Sequence, residues 1–209
     1  MARRMELLQQ LQAELGERCR VQQADVSLPA EAMPALEAMI SELGGADLIV
    51  ISAGVGFLNP DFHWQQERET IAVNVMGCAA LANVALHHFL RQGRGHLVGI
   101  SSIASIRGGS VAPAYNASKA FLANYLEGLR AKVARRRLPI TITEICPGFV
   151  DTAMAQGEGL FWVASPEKAA RQILAAIQRK RRRVYVTRRW GLIAWLLKRL
   201  PAAMHERIG

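Results

Sequence analysis

Three short apolar runs set the architecture of this 209-residue chain: Leu48-Ile49-Val50-Ile51, His96-Leu97-Val98-Gly99-Ile100 and Ile140-Thr141-Ile142-Thr143-Glu144-Ile145-Cys146. Each has the length and aliphatic content of a strand, and long segments of helical spacing separate them. Strands joined through helices pair in parallel, because a parallel pair needs a crossover of about a dozen residues or more. The first run lacks polar alternation, as expected of a strand covered on both faces. These patterns predict an α/β fold with a parallel sheet.

The intervening segments carry a helical period. Leu7, Leu8, Leu11 and Leu15 recur at helical spacing before a stop at Gly16, and Met33, Leu36, Met39 and Ile40 do so between Pro29 and Leu43. A helix is predicted over about Glu67 to Arg91, with Ile71, Val75, Cys78, Ala82, Ala85 and Phe89 on one stripe. Another turns Phe121, Leu122, Tyr125, Leu126, Leu129 and Val133 to the core and ends in basic residues that suit the helix dipole. Ser165-Pro166-Glu167 opens a further helix with an N-cap, a proline and an early acid. Arg20 to Ser27 and Val184-Tyr185-Val186 read as short strands, and His87-His88 as a helix surface.

Chemistry gathers between Gly99 and Thr152. On a helix, Tyr115 and Lys119 are four residues apart and share a face. A phenol ordinarily titrates near pH ~10, and a cation within ~4–6 Å draws it towards neutrality. Ser102, thirteen residues upstream at a strand end, offers a hydroxyl to the same substrate oxygen. Together the three can polarise a carbonyl, although a Tyr-to-Lys spacing alone also describes an ordinary helix surface.

Ala53-Gly54, Val73-Asn74-Val75, Ile100-Ser101-Ser102, Tyr115-Asn116-Ala117-Ser118-Lys119 and Cys146-Pro147-Gly148-Phe149-Val150-Asp151-Thr152 stand in this order along the chain. In that order they resemble the short-chain dehydrogenase/reductase family over nearly the whole length, from Ala2 to about Val186. The resemblance implies a single Rossmann-like, doubly wound parallel sheet over residues 1–187, followed by a basic amphipathic tail over 188–209. It implies an oxidoreductase interconverting an alcohol and a ketone or aldehyde, with Tyr115 as acid and base, Lys119 tuning it, Ser102 orienting the carbonyl and Asn74 holding a water beside Lys119. It implies a cofactor lying along Asp25 and Val26 (adenine), Ala53 and Gly54 (ribose and pyrophosphate), Tyr115 and Lys119, and Pro147, Gly148, Val150 and Thr152 (nicotinamide side). Arg3 and Arg4 fall where members preferring NADP place a basic residue, so NADP is expected over NAD. A homo-oligomer packed through the Asn74 and Tyr115 helices is implied as well.

Two features depart from the family pattern. Ile51-Ser52 stands where Asn-Asn is common. The glycine-rich turn that opens such folds, with its two flanking strands, is not in the sequence, so the expected sheet is N-terminally incomplete, with an open edge beside Val50. A chain of this form is expected to bind dinucleotide weakly or not at all.

Of the net charge of +9, the whole excess comes from residues 179–199, which hold nine Lys or Arg and no acid. That end carries Trp190, Ile193, Trp195, Leu197 and Leu200. It reads either as a segment lying on an anionic membrane surface, through residues 179–200, or as one packed on the body or a partner subunit. A second functional reading follows, of a non-catalytic interaction or membrane-surface protein that retains part of the fold. Nucleic acid is disfavoured, since no aromatic stacking platform accompanies the basic run. Between Thr152 and Ser165, Leu160, Phe161 and Trp162 read as a substrate lid or a packing loop. Three widely separated cysteines and five scattered histidines form no disulfide or metal pattern. No apolar run of ~18 residues and no signal-peptide core occurs, so cytoplasm is the expected compartment.

Overall fold

The computed structural model describes residues 1–152, 154 and 161–208; Leu160, one of the three lid candidates, lies outside them. Strands β1 (Leu48–Ile51), β2 (Gly95–Ile100), β3 (Ile140–Pro147) and β4 (Arg183–Val186) form one sheet in that order, all parallel. Helices α1 (Met5–Leu15) and α2 (Pro29–Glu42) precede β1. Between β1 and β2, α3 (Trp64–Ile71) and α4 (Cys78–Gln92) run into one another through a π-helical stretch, Ala72–Gly77. Then α5 (Pro113–Arg135) and α6 (Pro166–Gln178) make the crossovers to β3 and β4, and α7 (Trp190–Arg199) and α8 (Ala202–Ile208) follow.

The sheet has a core on each face. Leu36 and Ile40 of α2, Phe89 of α4, and Leu122 and Leu126 of α5 pack with Leu97 and Ile142 on one side; Ala169 and Ala176 of α6 pack with Val98, Ile145 and Val186 on the other. This is the doubly wound arrangement the crossovers imply. Ser165 accepts a hydrogen bond from the Lys168 backbone N–H, capping α6 as its sequence predicts.

Several local expectations shift. The π-helical stretch inserts an extra residue into the turn and rotates the buried stripe, so Val73, Asn74 and Gly77 turn inward while Ile71 is exposed and Val75 is only half-buried. β1 is buried on one face alone, with Leu48 and Val50 each 43% exposed at the sheet edge. Arg20–Ser27 forms not a strand but a single parallel bridge between Ala2 and Gln23, closed by Ala2 N–H to Gln22 O (3.3 Å) and Ala24 N–H to Ala2 O (3.1 Å). Only Leu8 of the α1 stripe is buried. His87 is exposed as expected, but His88 is buried with Nε2 3.0 Å from the backbone of Ala46. Phe121 is exposed at the rim of α5, stacked on Tyr125, which is half-buried against the core. By length and composition the continuous helix Trp64–Gln92 could cross a bilayer, yet half of its most apolar window is buried inside this fold.

One charge lies in the sheet itself. The fully buried Glu144 accepts from Arg183 Nε at 2.6 Å and from the Cys146 thiol at 3.1 Å, and Arg130 stands 3.7 Å away. Burial and this carboxylate together push the Cys146 thiol far above the ordinary thiol range. Removing Glu144 takes the buried carboxylate from both guanidiniums and leaves them, among the described residues, only the exposed carboxylate of Glu127, 3.6 Å from Arg183. Glu144→Ala is therefore expected to destabilise the fold by about 3–5 kcal/mol, read as a lower urea midpoint, whereas exposed Glu37→Ala leaves the midpoint within error.

Candidate active site

In a doubly wound parallel sheet, ligands bind beyond the carboxyl ends of the strands. That edge carries the loop after β1, the Ser101-Ser102 step after β2 and the Pro147-Gly148 step at the end of β3. Ser102 caps a short 3-10 turn, Ile103–Ile106, by accepting from the Ala104 N–H at 3.1 Å. Its side chain lies near enough to the Tyr115 phenol to favour the phenolate. Lys119, only 4% exposed, donates to the carbonyl of Ile100 at 3.1 Å and lies 5.6 Å from the centre of the Tyr115 ring. The three expected catalytic groups thus come together, Tyr115 and Lys119 from α5 and Ser102 from the turn after β2.

Close backbone approach assembles them. A methyl group on Gly54 would sit 3.0 Å from Lys119 Nζ and 3.6 Å from Asn74 Oδ1; one on Gly56 would sit 2.8 Å from the Tyr115 ring. The loop is held by Asn74, whose Oδ1 accepts from Val55 N–H at 2.8 Å while Nδ2 donates to Val55 O at 2.8 Å and to Ser118 Oγ at 2.9 Å. Asn74 therefore acts as a clamp on the loop here, a role that the expectation of a bound water did not contain. The π-helical stretch turns it inward to do so.

The electrostatics differ from the simplest expectation. Burial raises the Tyr115 pKa above the ordinary phenol range, and the nearby Ser102 hydroxyl only partly opposes it. Burial likewise lowers the Lys119 pKa, with the nearby Cys78 thiol working the other way. The ammonium points to the Ile100 carbonyl and not to the phenol oxygen, so Tyr115 stays protonated through neutral pH.

The remaining candidates form a line along the edge. Burial raises the Asp25 pKa, but two hydrogen bonds from Ser27, and to a lesser extent the Arg3 guanidinium, hold its carboxyl below the usual range. Arg3 also pairs with Glu69 at 3.7 Å, an exposed and weak contact. Arg4 is exposed at the start of α1. The Val26 carbonyl lies against Gly77; next to it Cys78 Sγ is 3.6 Å from Ala53 O, and Gly54 follows. At the far end, Gly148 N–H donates to Val186 O at 2.6 Å, Val150 bridges Ala164, and exposed Thr152 donates to Val150 O at 3.3 Å.

Aromatic residues of the lid candidates and of the basic end complete the wall. Trp190 of α7 packs so tightly on Gly148 that a methyl group there would fall 2.1 Å from the indole, and it joins Phe149, Phe161 and Trp162 in an aromatic cluster with centroids 5.0–5.9 Å apart. Ser118, three residues after Tyr115, was legible as a polar residue on the inner helix face. Trp190 is one of the residues of the basic end read as packing either on the body or on a membrane surface, and it packs on the body; that Gly148 is its partner gave no local signal, because the two lie over forty residues apart in sequence.

The donors present fit the nicotinamide–ribose half of a dinucleotide: a phenol, an ammonium and backbone groups bared by glycine line one edge. Among the described residues no glycine-rich turn opens a helix N-terminus there, the arrangement that would hold a pyrophosphate.

The short chain dehydrogenase family model matches residues 1–160. An uncharacterized oxidoreductase of Myxococcus xanthus is 39% identical over 132 residues, spanning 62% of this chain and 51% of that protein, so the matched part is about half the relative's length. A second, from Mycobacterium tuberculosis, is 33% identical over 99% of this chain and 85% of its own length. A short chain dehydrogenase of Burkholderia cenocepacia, solved in complex with NADP, superposes with a TM-score of 0.78 over 92% of this chain and 79% of its own, at 21% identity.

Buried Tyr115 is expected to ionise above the ordinary phenol range, isolated as the ultraviolet titration difference between the native chain and Tyr115→Phe. Gly56→Ala, by pushing the ring outward, should return that titration towards pH ~10; an unmoved titration would contradict the packing described.

Proposed function

The chain belongs to the short-chain dehydrogenase family, and from that premise we propose that it interconverts an alcohol and its ketone or aldehyde, with Tyr115 as proton donor and acceptor and NADP as hydride carrier. The observation that carries this reading is the meeting of Ser102, Tyr115 and Lys119 at the carboxyl edge of the sheet. The cofactor, when bound, supplies or accepts the hydride at the carbonyl carbon.

The protein's part is positional and protonic. In reduction, Ser102 donates a hydrogen bond to the substrate oxygen and Tyr115 passes its proton to that oxygen as the carbon gains hydride. In oxidation the same phenolate takes the proton back. Lys119, held by Ile100 O beside Gly54 and Asn74, would hold the nicotinamide ribose and stabilise the phenolate formed in turnover. Arg3 and Arg4 support NADP over NAD, since an exposed guanidinium beside the adenine end pairs with a 2′-phosphate, and the Arg3–Glu69 contact is weak enough to exchange. Pairing of copies through the α4 and α5 faces is part of the same proposal, supported by exposed Met76 and Phe121 along them.

The test is carbonyl reduction followed by NADPH oxidation over a panel of ketones and aldehydes. Tyr115→Phe is expected to lower turnover about 10²–10⁴-fold while leaving cofactor binding intact; unchanged turnover would overturn the assignment. Because the tyrosine pKa is raised, reduction should hold level from neutral into mildly alkaline pH and fall only as the phenol ionises. Oxidation, which needs the phenolate, should rise about tenfold per pH unit over the same range.

A further inference from the structure

We propose that α7 seats the protein on an anionic lipid bilayer. Its inner face, Trp190 and Ala194, is buried against the catalytic edge, and Arg107 of the loop after Ser102 donates to the carbonyls of Leu197 (3.1 Å) and Leu200. With that face occupied, a soluble helix would turn charge outward. Instead Leu192, Trp195 and Leu196 are 59%, 49% and 49% exposed, at spacings that bring them onto one outer stripe with Arg199. Met204 of α8 is exposed just beyond. The helix is thus apolar on two faces and covered on one.

Charge identifies the occupant. Arg188 and Arg189 are exposed at the N-terminal end of α7, and Lys198 and Arg199 at its other end, with Arg199 over the Trp195 ring at 4.1 Å. The last two suit the dipole; of the two arginines at the N-terminus, which work against it, Arg189 stacks over the Trp162 ring at 4.9 Å, while Arg188 turns its charge to the exposed side. No Asp or Glu occurs between Glu167 and Glu206. A second copy docking through this face would bring like charges together, whereas an anionic headgroup layer complements them and accepts Trp and Leu at its boundary. The basic run Arg179–Arg182 precedes β4, at the opposite end of the strand, and is not part of this face.

The experiment is sedimentation of the full chain with vesicles of phosphatidylcholine alone or with about 30 mol% phosphatidylglycerol, at low and high salt. Binding to the anionic vesicles only, weakened by salt, is expected. Trp195→Ser with Leu196→Ser should lower it about tenfold or more, and Arg188→Gln with Lys198→Gln about thirtyfold. All four side chains point away from the core, and near-ultraviolet circular dichroism confirms that each variant is folded. Equal binding by native and folded variant chains, or no binding to anionic vesicles, overturns the proposal. So does a concentration-dependent dimer, abolished by Trp195→Ser with Leu196→Ser, in place of vesicle binding. Carbonyl reduction by the same variants is expected to be unchanged, which keeps this outcome separate from that of the enzymatic reading.

Discussion

Everything at the carboxyl edge depends on keeping the Lys119 ammonium in a nearly dry place. Burying an unpaired ammonium costs several kcal/mol, and the partner the structure supplies is a backbone carbonyl, Ile100 O. The loop after β1 makes this geometry by coming so close to α5 that a methyl on Gly56 would clash with the Tyr115 ring and one on Gly54 would crowd Lys119 Nζ. Asn74 then ties that loop down through both polar atoms of its amide. The result is a lysine and a tyrosine on one helix, four residues apart, that share a pocket but not a direct contact between charge and phenol oxygen.

Much of this was legible from spacing. The Tyr115–Lys119 step, the Ser102 position at a strand end and the glycines after β1 are local patterns whose geometry follows from helix and strand periods. What stayed hidden depends on distant partners or on a break in the period. The π-helical stretch gave no sequence signal, yet it decides that Asn74 faces inward and Ile71 outward. The pKa of Tyr115 could not be read either: proximity to a cation predicts a decrease, and only the burial of the ring reveals that desolvation wins. Burial of His88 and the Glu144–Arg183 pair likewise come from strands and helices meeting across the sheet.

The β1 edge shows how a single strand position alters a pattern. Leu48-Ile49-Val50-Ile51 reads as a strand covered on both faces, and Ile51 is buried as such a strand requires. Leu48 and Val50 are exposed because, among the described residues, β1 has β2 as its one neighbour in the sheet and no packed layer on its other face. The aromatic cluster around Trp190 closes the opposite end of the site, so α7 belongs structurally to the same edge as the tyrosine.

The central claim, that this edge is a site for NADP, is tested most directly by titrating the chain with NADPH and with NADH, following tryptophan emission and heat. Trp190 beside Gly148 is placed to report on the nicotinamide end, and Arg3 and Arg4 on the 2′-phosphate. The account predicts saturable but weak binding, with NADPH tighter than NADH by about tenfold or more, as a charge-assisted phosphate contact provides. Equal affinities would contradict the cofactor assignment, and no response to either would contradict the site itself.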